Sequence, residues 1–79
     1  MLLDEYQTET GLTNYALAKK IGISRQSTGR YRTGEQIPRR DTMRKIIELT
    51  GGRVQEADFY RAYEAFAARK AALEAPAAA

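Results

Sequence analysis

The stretch NYALAKKIGISRQSTGRYRTG, residues 14–34, decides the fold of this 79-residue chain. Its apolar positions follow a helical spacing, which predicts two short helices on either side of Gly22. Glycine suits a tight turn at that point because it adopts positive φ without steric strain. Ala18 is expected to be small because the two helices cross closely there, and Ile23 is expected to fill the space beneath the turn. The other residues expected to face inward are Leu17, Ile21, Thr28 and Tyr31.

Helical spacing continues on both sides of this stretch and predicts five helices, with no strand-like alternation and no internal repeat. The expected helices span residues 2–10, 14–21, 25–33, 39–50 and 55–73. Thr13 and Ser24 are suitable N-cap residues for the second and third helices, and Gly34 is a suitable stop for the third. We therefore expect a compact all-α fold with an extended C-terminal helix.

The composition excludes most catalytic and metal chemistry. The chain contains no cysteine and no histidine, so disulfides, thiolate metal sites and imidazole bases are impossible. Its carboxylates show no paired arrangement suited to acid–base catalysis and are expected on solvated helix faces. No run of about 18 apolar residues is present, as a membrane span requires, and no N-terminal signal pattern appears. We therefore expect no enzyme activity, no cofactor, no metal and no membrane partner, and a cytoplasmic location at the prokaryotic nucleoid.

The basic residues are concentrated in the middle of the chain. Residues 19–45, the basic block, contain nine lysine and arginine residues and two acidic ones, a net charge of +7. The rest of the chain carries four basic and eight acidic residues, a net charge of −4. A basic block between acidic flanks is typical of a surface that binds a polyanion, although charge clustering on a solvated surface gives the same pattern.

Two segments resemble a known family. The run ALAKKIGISRQSTGRYRTG resembles the helix-turn-helix of the Cro and phage-repressor (XRE-type) family, with Leu-Ala in the first helix, glycine at the turn, a Ser or Thr cap, a Gln-rich helix start and a closing glycine. The run IPRRDTMRKIIELTGGRVQEADF resembles the Cro-like or YdaS-like branch, in which a proline leads into a helix ending in a Thr-Gly-Gly turn. The resemblance implies a lambda-repressor-like domain and a DNA-binding transcriptional regulator, a Cro-like repressor. Thr28 departs from the pattern, which usually has a larger aliphatic residue, so looser packing is expected there.

The resemblance also implies that the third helix, the recognition helix, enters the major groove of double-stranded DNA. The base-reading residues it implies are Arg25, Gln26, Ser27 and Arg30. Arginine can bond guanine O6 and N7, and glutamine can bond adenine N6 and N7, so these side chains suit a G and an A. The alternative is that they are exposed without a partner. Gly29 lies inside the same helix, either as a tolerated defect or because the backbone there approaches DNA closely.

A second set of residues is expected to contact phosphates, which sets position and affinity without reading sequence. These residues are Asn14, Ser24, Arg32, Arg39 and Arg40. Asn14 resembles the family's amide that binds the DNA backbone at a helix N-terminus, where free N–H groups attract phosphate. The arginines are expected to flank the groove, whereas Lys19 and Lys20 are expected to point to solvent.

The large apolar residues divide between the core and the last helix. Those expected in the core are Tyr6, Tyr15, Tyr31, Met43, Ile46 and Ile47. Phe59, Phe66 and Leu73 recur every seven residues, a stripe longer than the domain is expected to cover, so we expect them to form a homodimer contact. The alternative is a helix folded wholly onto its own domain. The expected organisation is a DNA-binding domain at residues 1–54, a packing and dimerisation helix at 55–74 and a disordered tail at 75–79.

A second class of function fits the same basic surface. A protein-interaction adaptor or antitoxin-like module would dock this surface on an acidic partner, such as a polymerase subunit or a toxin, without reading DNA. Salt-dependent duplex binding with a sequence preference distinguishes a DNA reader from such an adaptor.

Overall fold

The computed structural model describes residues 1–74, which form five helices and no strand. The helices are α1 (Leu3–Thr10), α2 (Asn14–Ile21), α3 (Arg25–Thr33), α4 (Arg40–Leu49) and α5 (Glu56–Glu74). The predicted all-α fold is confirmed, and every helix begins and ends within one residue of its expected bounds. The tail predicted at residues 75–79 lies outside the described residues. None of the helices within 1–74 has the length and apolar character needed to cross a membrane.

The two helices α2 and α3 begin at the predicted caps. The hydroxyl oxygen of Thr13 accepts a hydrogen bond from the backbone N–H of Ala16 at 3.1 Å, at the start of α2. Ser24 accepts from the N–H of Ser27 at 3.0 Å, at the start of α3. Between them Gly22 has a φ of +74°, the left-handed conformation expected for the turn.

One hydrophobic core joins the helices, and α2 packs most extensively against α3. Its buried apolar residues are Leu3, Leu17, Ile21, Tyr31, Met43, Ile46, Val54 and Phe59. Three predictions for the core, at Tyr31, Met43 and Ile46, are therefore confirmed. Tyr6 and Ile47 pack against this core as half-buried residues.

In the α2–α3 pair, Tyr15 differs from expectation, whereas Thr28 faces inward as expected. Tyr15, expected in the core, is 61% exposed. At 3.6 residues per turn it lies off the buried face of α2, which Leu17 and Ile21 define. Thr28 is fully buried, and its hydroxyl donates to the carbonyl of Ser24 at 3.1 Å. The core therefore accepts this smaller side chain without leaving its hydroxyl unsatisfied.

The last helix is buried only along its first part. Phe59 lies in the core, and Phe66 is half-buried. Residues 67–74 are all exposed, and Leu73 is 87% exposed. The helix is therefore not folded wholly onto its own domain. The side chain of Phe59 is not available to a second copy, which corrects its assignment to a dimer contact.

Asp58 anchors the start of α5. Its carboxylate accepts hydrogen bonds of 2.9 Å from the N–H of Gln55 and the ammonium group of Met1, and it pairs with Arg61 at 2.9 Å. Burial alone raises the pKa of this carboxyl group, but the three donors outweigh burial and hold the pKa below its ordinary value. The group therefore stays charged at neutral pH, where a negative charge stabilises a helix N-terminus.

Candidate nucleic-acid interface

The recognition helix α3 has one side in the core and one side toward solvent. Thr28 and Tyr31 are buried on the inner side. The residues that share the outer side, by their spacing of three and four, are Gln26, Gly29, Arg30 and Thr33. The prediction from sequence omits Thr33, although its spacing from Arg30 could have placed it on this side. The side chains of Gln26, Arg30 and Thr33 are therefore all exposed on this side, with the half-buried Gly29 between them.

The start of α3 brings three of the predicted residues together. Arg25 is exposed and lines a shallow depression with Tyr15 and Lys19. The hydroxyl oxygens of Ser24 and Ser27 lie 2.8 Å apart, and the Ser24 oxygen also accepts the Ser27 N–H. The two serines therefore hold the helix start, and the Ser24 oxygen is engaged by the cap.

Asn14, the first residue of α2, is held by a buried glutamine from α1. Gln7 Nε2 donates to Asn14 Oδ1 at 2.8 Å and to the carbonyl of Leu12 at 3.1 Å. Gln7 is only 1% exposed, and its Oε1 has no partner among the residues described. The sequence alone does not indicate Gln7 as a site residue, because only the fold brings α1 beside the start of α2.

Arg32 reaches toward α1, although it lies on the recognition helix. Its Nε donates to Asp4 Oδ1 at 2.6 Å, its Nη2 to Thr8 Oγ1 at 3.3 Å and its Nη1 to Asn14 Oδ1 at 3.3 Å. The side chain is 29% exposed. The structure therefore brings two predicted phosphate-binding residues, Arg32 and Asn14, into contact with each other, and it commits the guanidinium group to protein partners.

Arg39 and Arg40 stand at the start of α4, the helix that follows α3. Both side chains are exposed, and neither forms an ion pair with any residue in the range 1–74. Arg39 is the N-cap residue of α4, and its side chain makes no capping hydrogen bond. The first turn of α4 therefore has no side-chain cap and is flanked in sequence by two arginines, a combination that favours an anion, although the exposed Asp41 in the same turn opposes one.

The positive charge of the basic block is largely uncompensated. In the part of the chain that the structure describes, Arg32 is the only side chain of the basic block in an ion pair. The other basic residues of the block are all exposed; they are Lys19, Lys20, Arg25, Arg30, Arg39, Arg40, Arg44 and Lys45. Within the same described range, no cluster of acidic residues is placed to hold a metal ion.

Comparison with known proteins agrees with this geometry. A protein-family model described as helix-turn-helix matches residues 6–56, which is more than half of the chain and includes all of α2, α3 and α4. No curated protein and no solved structure gives a significant match. The chain belongs to the XRE-type helix-turn-helix family, a family of DNA-binding regulators.

Proposed function

We propose that the protein regulates transcription as a Cro-like repressor, by binding specific sequences of double-stranded DNA with α3 in the major groove. The observation that carries this proposal is the two-sided character of α3. Thr28 and Tyr31 fix the helix in the core, while Gln26 and Arg30 lie on its exposed side. A helix anchored in this way can project polar side chains into a groove about 12 Å wide.

Base reading is assigned to the first two turns of α3. The proposed base-reading residues are Arg25, Gln26, Ser27 and Arg30. Arginine donates two hydrogen bonds to guanine O6 and N7, and glutamine donates to adenine N7 while accepting from N6. Neither Arg25 nor Arg30 is in an ion pair with another residue of 1–74, so binding a base breaks no such pair. Ser27, which contacts the capping Ser24, lies at the edge of this surface.

Phosphate contacts are assigned to the starts of the two neighbouring helices. Asn14 is the first residue of α2, and Arg39 and Arg40 lie at the start of α4. Helix N-termini attract phosphate, and such contacts would fix the register of α3 without reading sequence. The hydroxyl of Ser24 is engaged in the cap of α3, so we assign this residue to holding the recognition helix rather than to phosphate.

A second copy of the chain is the proposed partner for the exposed end of α5. Phe66 and Leu73 lie seven residues apart on one side of the helix, and Leu73 is 87% exposed. Pairing about a two-fold axis would cover these side chains and place two recognition helices about 34–36 Å apart, one turn of the duplex. Two helices are needed because one reads only a few base pairs and supplies little specificity.

Selection of preferred sites from random duplex DNA tests this proposal. We expect a symmetric selected site that binds about 10³-fold or more tightly than a scrambled duplex, with both affinities falling as salt rises. Equal affinity for the selected and scrambled duplexes would contradict sequence reading. That result would favour an adaptor whose basic block docks on an acidic protein.

A further inference from the structure

Two donors fix the orientation of the Asn14 amide. The carbonyl of Leu12 can only accept, so the group that Gln7 presents to it at 3.1 Å is an NH2. The same NH2 lies 2.8 Å from Asn14, which must therefore present its Oδ1 there. Arg32 can only donate, and it contacts the same oxygen at 3.3 Å. The amide oxygen of Asn14 is thus held by the protein, and its Nδ2 faces the other way.

The Nδ2 group of Asn14 is the part of this cluster that remains open to a ligand. No acceptor within residues 1–74 bonds it. A Cβ on Gly29 would lie 3.6 Å from this nitrogen, which is an ordinary van der Waals contact. Packing within the protein therefore does not require glycine at this position, although glycine inside a helix is less favourable than alanine. A ligand that closely approaches Asn14 Nδ2 would explain the missing side chain.

We propose that Gln7 and Arg32 are positioning residues, which present Asn14 Nδ2 to one phosphate oxygen of the DNA backbone. Gly29 gives that phosphate room beside α3. Arg32 acts through Asn14 and does not bind DNA itself, because its guanidinium group is committed to oxygens of α1 and to Asn14. This inference rests on the DNA-binding function proposed above.

A double-mutant cycle on the full chain tests whether Arg32 acts through Asn14. We expect Asn14→Ala and Arg32→Ala each to weaken binding to the selected duplex about tenfold, the effect of losing one hydrogen bond to a charged group. The double variant should bind close to Asn14→Ala, weaker only by the small long-range effect of the lost positive charge and far from the product of the two losses. A double variant that shows the product of the two losses, with a salt slope lower by about one, would mean that Arg32 binds phosphate directly and would overturn the proposal.

A second variant separates positioning from simple charge. Asp4→Ala removes a negative charge, which by long-range attraction alone should strengthen DNA binding. It also releases Arg32 from its 2.6 Å ion pair with Asp4. We therefore expect the Asn14 amide to be held less firmly and the affinity for the selected duplex to fall. Glu5→Gln is the matched control, since it removes the same charge from α1 and keeps an acceptor for the Leu2 N–H. Binding by Asp4→Ala equal to or tighter than that of Glu5→Gln would overturn the proposal.

The side-chain ¹⁵N–H signals of Asn14 give a readout independent of affinity. We expect them to shift when DNA binds to the wild-type chain, and to broaden in free Arg32→Ala as the amide loses a fixed orientation.

Thermal unfolding by circular dichroism checks that each variant is folded, and Asp4→Ala remains a test should Arg32→Ala fail to fold. A wild-type chain without sequence preference would contradict the proposed function. If the wild-type chain does prefer the selected sequence, two results would overturn this inference alone. One is that Asn14→Ala and Arg32→Ala lower the affinity independently of each other, and the other is that the Asn14 signals do not shift when DNA binds.

Discussion

Gly34 lies directly against the backbone of Ala62, at the point where the recognition helix ends and α5 passes. A Cβ on Gly34 would lie 2.6 Å from the carbonyl carbon of Ala62, and the φ of Gly34 is +89°. One residue therefore meets two separate demands, a left-handed helix end and a close approach of two backbones. This contact brings the end of α3, the helix proposed to read DNA, against α5.

Gly34→Ala is expected to destabilise the fold by about 2–4 kcal/mol, because a left-handed alanine costs about 1 kcal/mol and the clash adds about 1–3. Gly22→Ala is the matched control. Gly22 has a similar φ of +74°, but no atom lies within 4 Å of its Cβ position. Gly22→Ala should therefore lose only the stability that a left-handed alanine costs, without the contribution of a clash. Urea unfolding followed by circular dichroism measures both. Equal losses in the two variants would show that the contact with Ala62 contributes nothing.

The features that the sequence predicts well are those determined by neighbouring residues. Thr13 and Ser24 cap the N–H groups of residues three positions ahead, and Gly22 turns the chain by its own φ. Each requires only a few consecutive residues, so the helix bounds could be predicted closely. The outward placement of Gln26 and Arg30 was expected from the resemblance to the XRE-type family, and the exposure of both side chains agrees with it.

The features that the sequence does not reveal depend on contacts between distant segments. Gln7 and Asp4 belong to α1, and only the tertiary fold brings them to Asn14 and Arg32. No local pattern distinguishes such a glutamine from a solvated one. The assignment of Phe59 to a dimer contact was wrong for the same reason, because the register in which α5 packs on the core is not encoded in α5 alone.

Gly29→Ala is expected to change stability and DNA affinity in opposite directions. The helix interior favours alanine by about 1 kcal/mol, and the added methyl group has space in the free protein. The same methyl group would stand in front of Asn14 Nδ2, so binding to the selected duplex should weaken. Thermal unfolding and equilibrium binding measure the two effects. A more stable variant with unchanged affinity would make Gly29 a tolerated surface defect.

Arg39→Ala and Arg40→Ala are expected to weaken binding to all duplexes alike. Both residues lie at the uncapped start of α4, where contacts to phosphate carry no sequence information. Each lost phosphate contact should reduce the slope of log affinity against log salt by about 0.9. Binding measured over a range of salt concentrations checks this, and an unchanged slope in both variants would place these arginines away from the DNA.

Leu73→Glu is expected to lower both the oligomeric mass and the affinity for a symmetric site. Leu73 is 87% exposed, so the substitution should leave the fold of a single copy unchanged. Ala71→Glu introduces the same charge on the opposite side of α5 and serves as the control. Light scattering at micromolar concentration gives the mass. If Leu73→Glu and Ala71→Glu behave identically, the exposed end of α5 is not the dimer contact.

The ratio of affinities for the selected and scrambled duplexes tests the central claim most directly. We predict that Arg25→Ala and Gln26→Ala each lower this ratio. The difference in binding free energy between the two duplexes should shrink by about 1–3 kcal/mol, chiefly because binding to the selected duplex weakens. Lys20→Ala, an exposed substitution outside α3, should leave the ratio unchanged. Equal weakening on both duplexes by Arg25→Ala and Gln26→Ala would contradict base reading by α3.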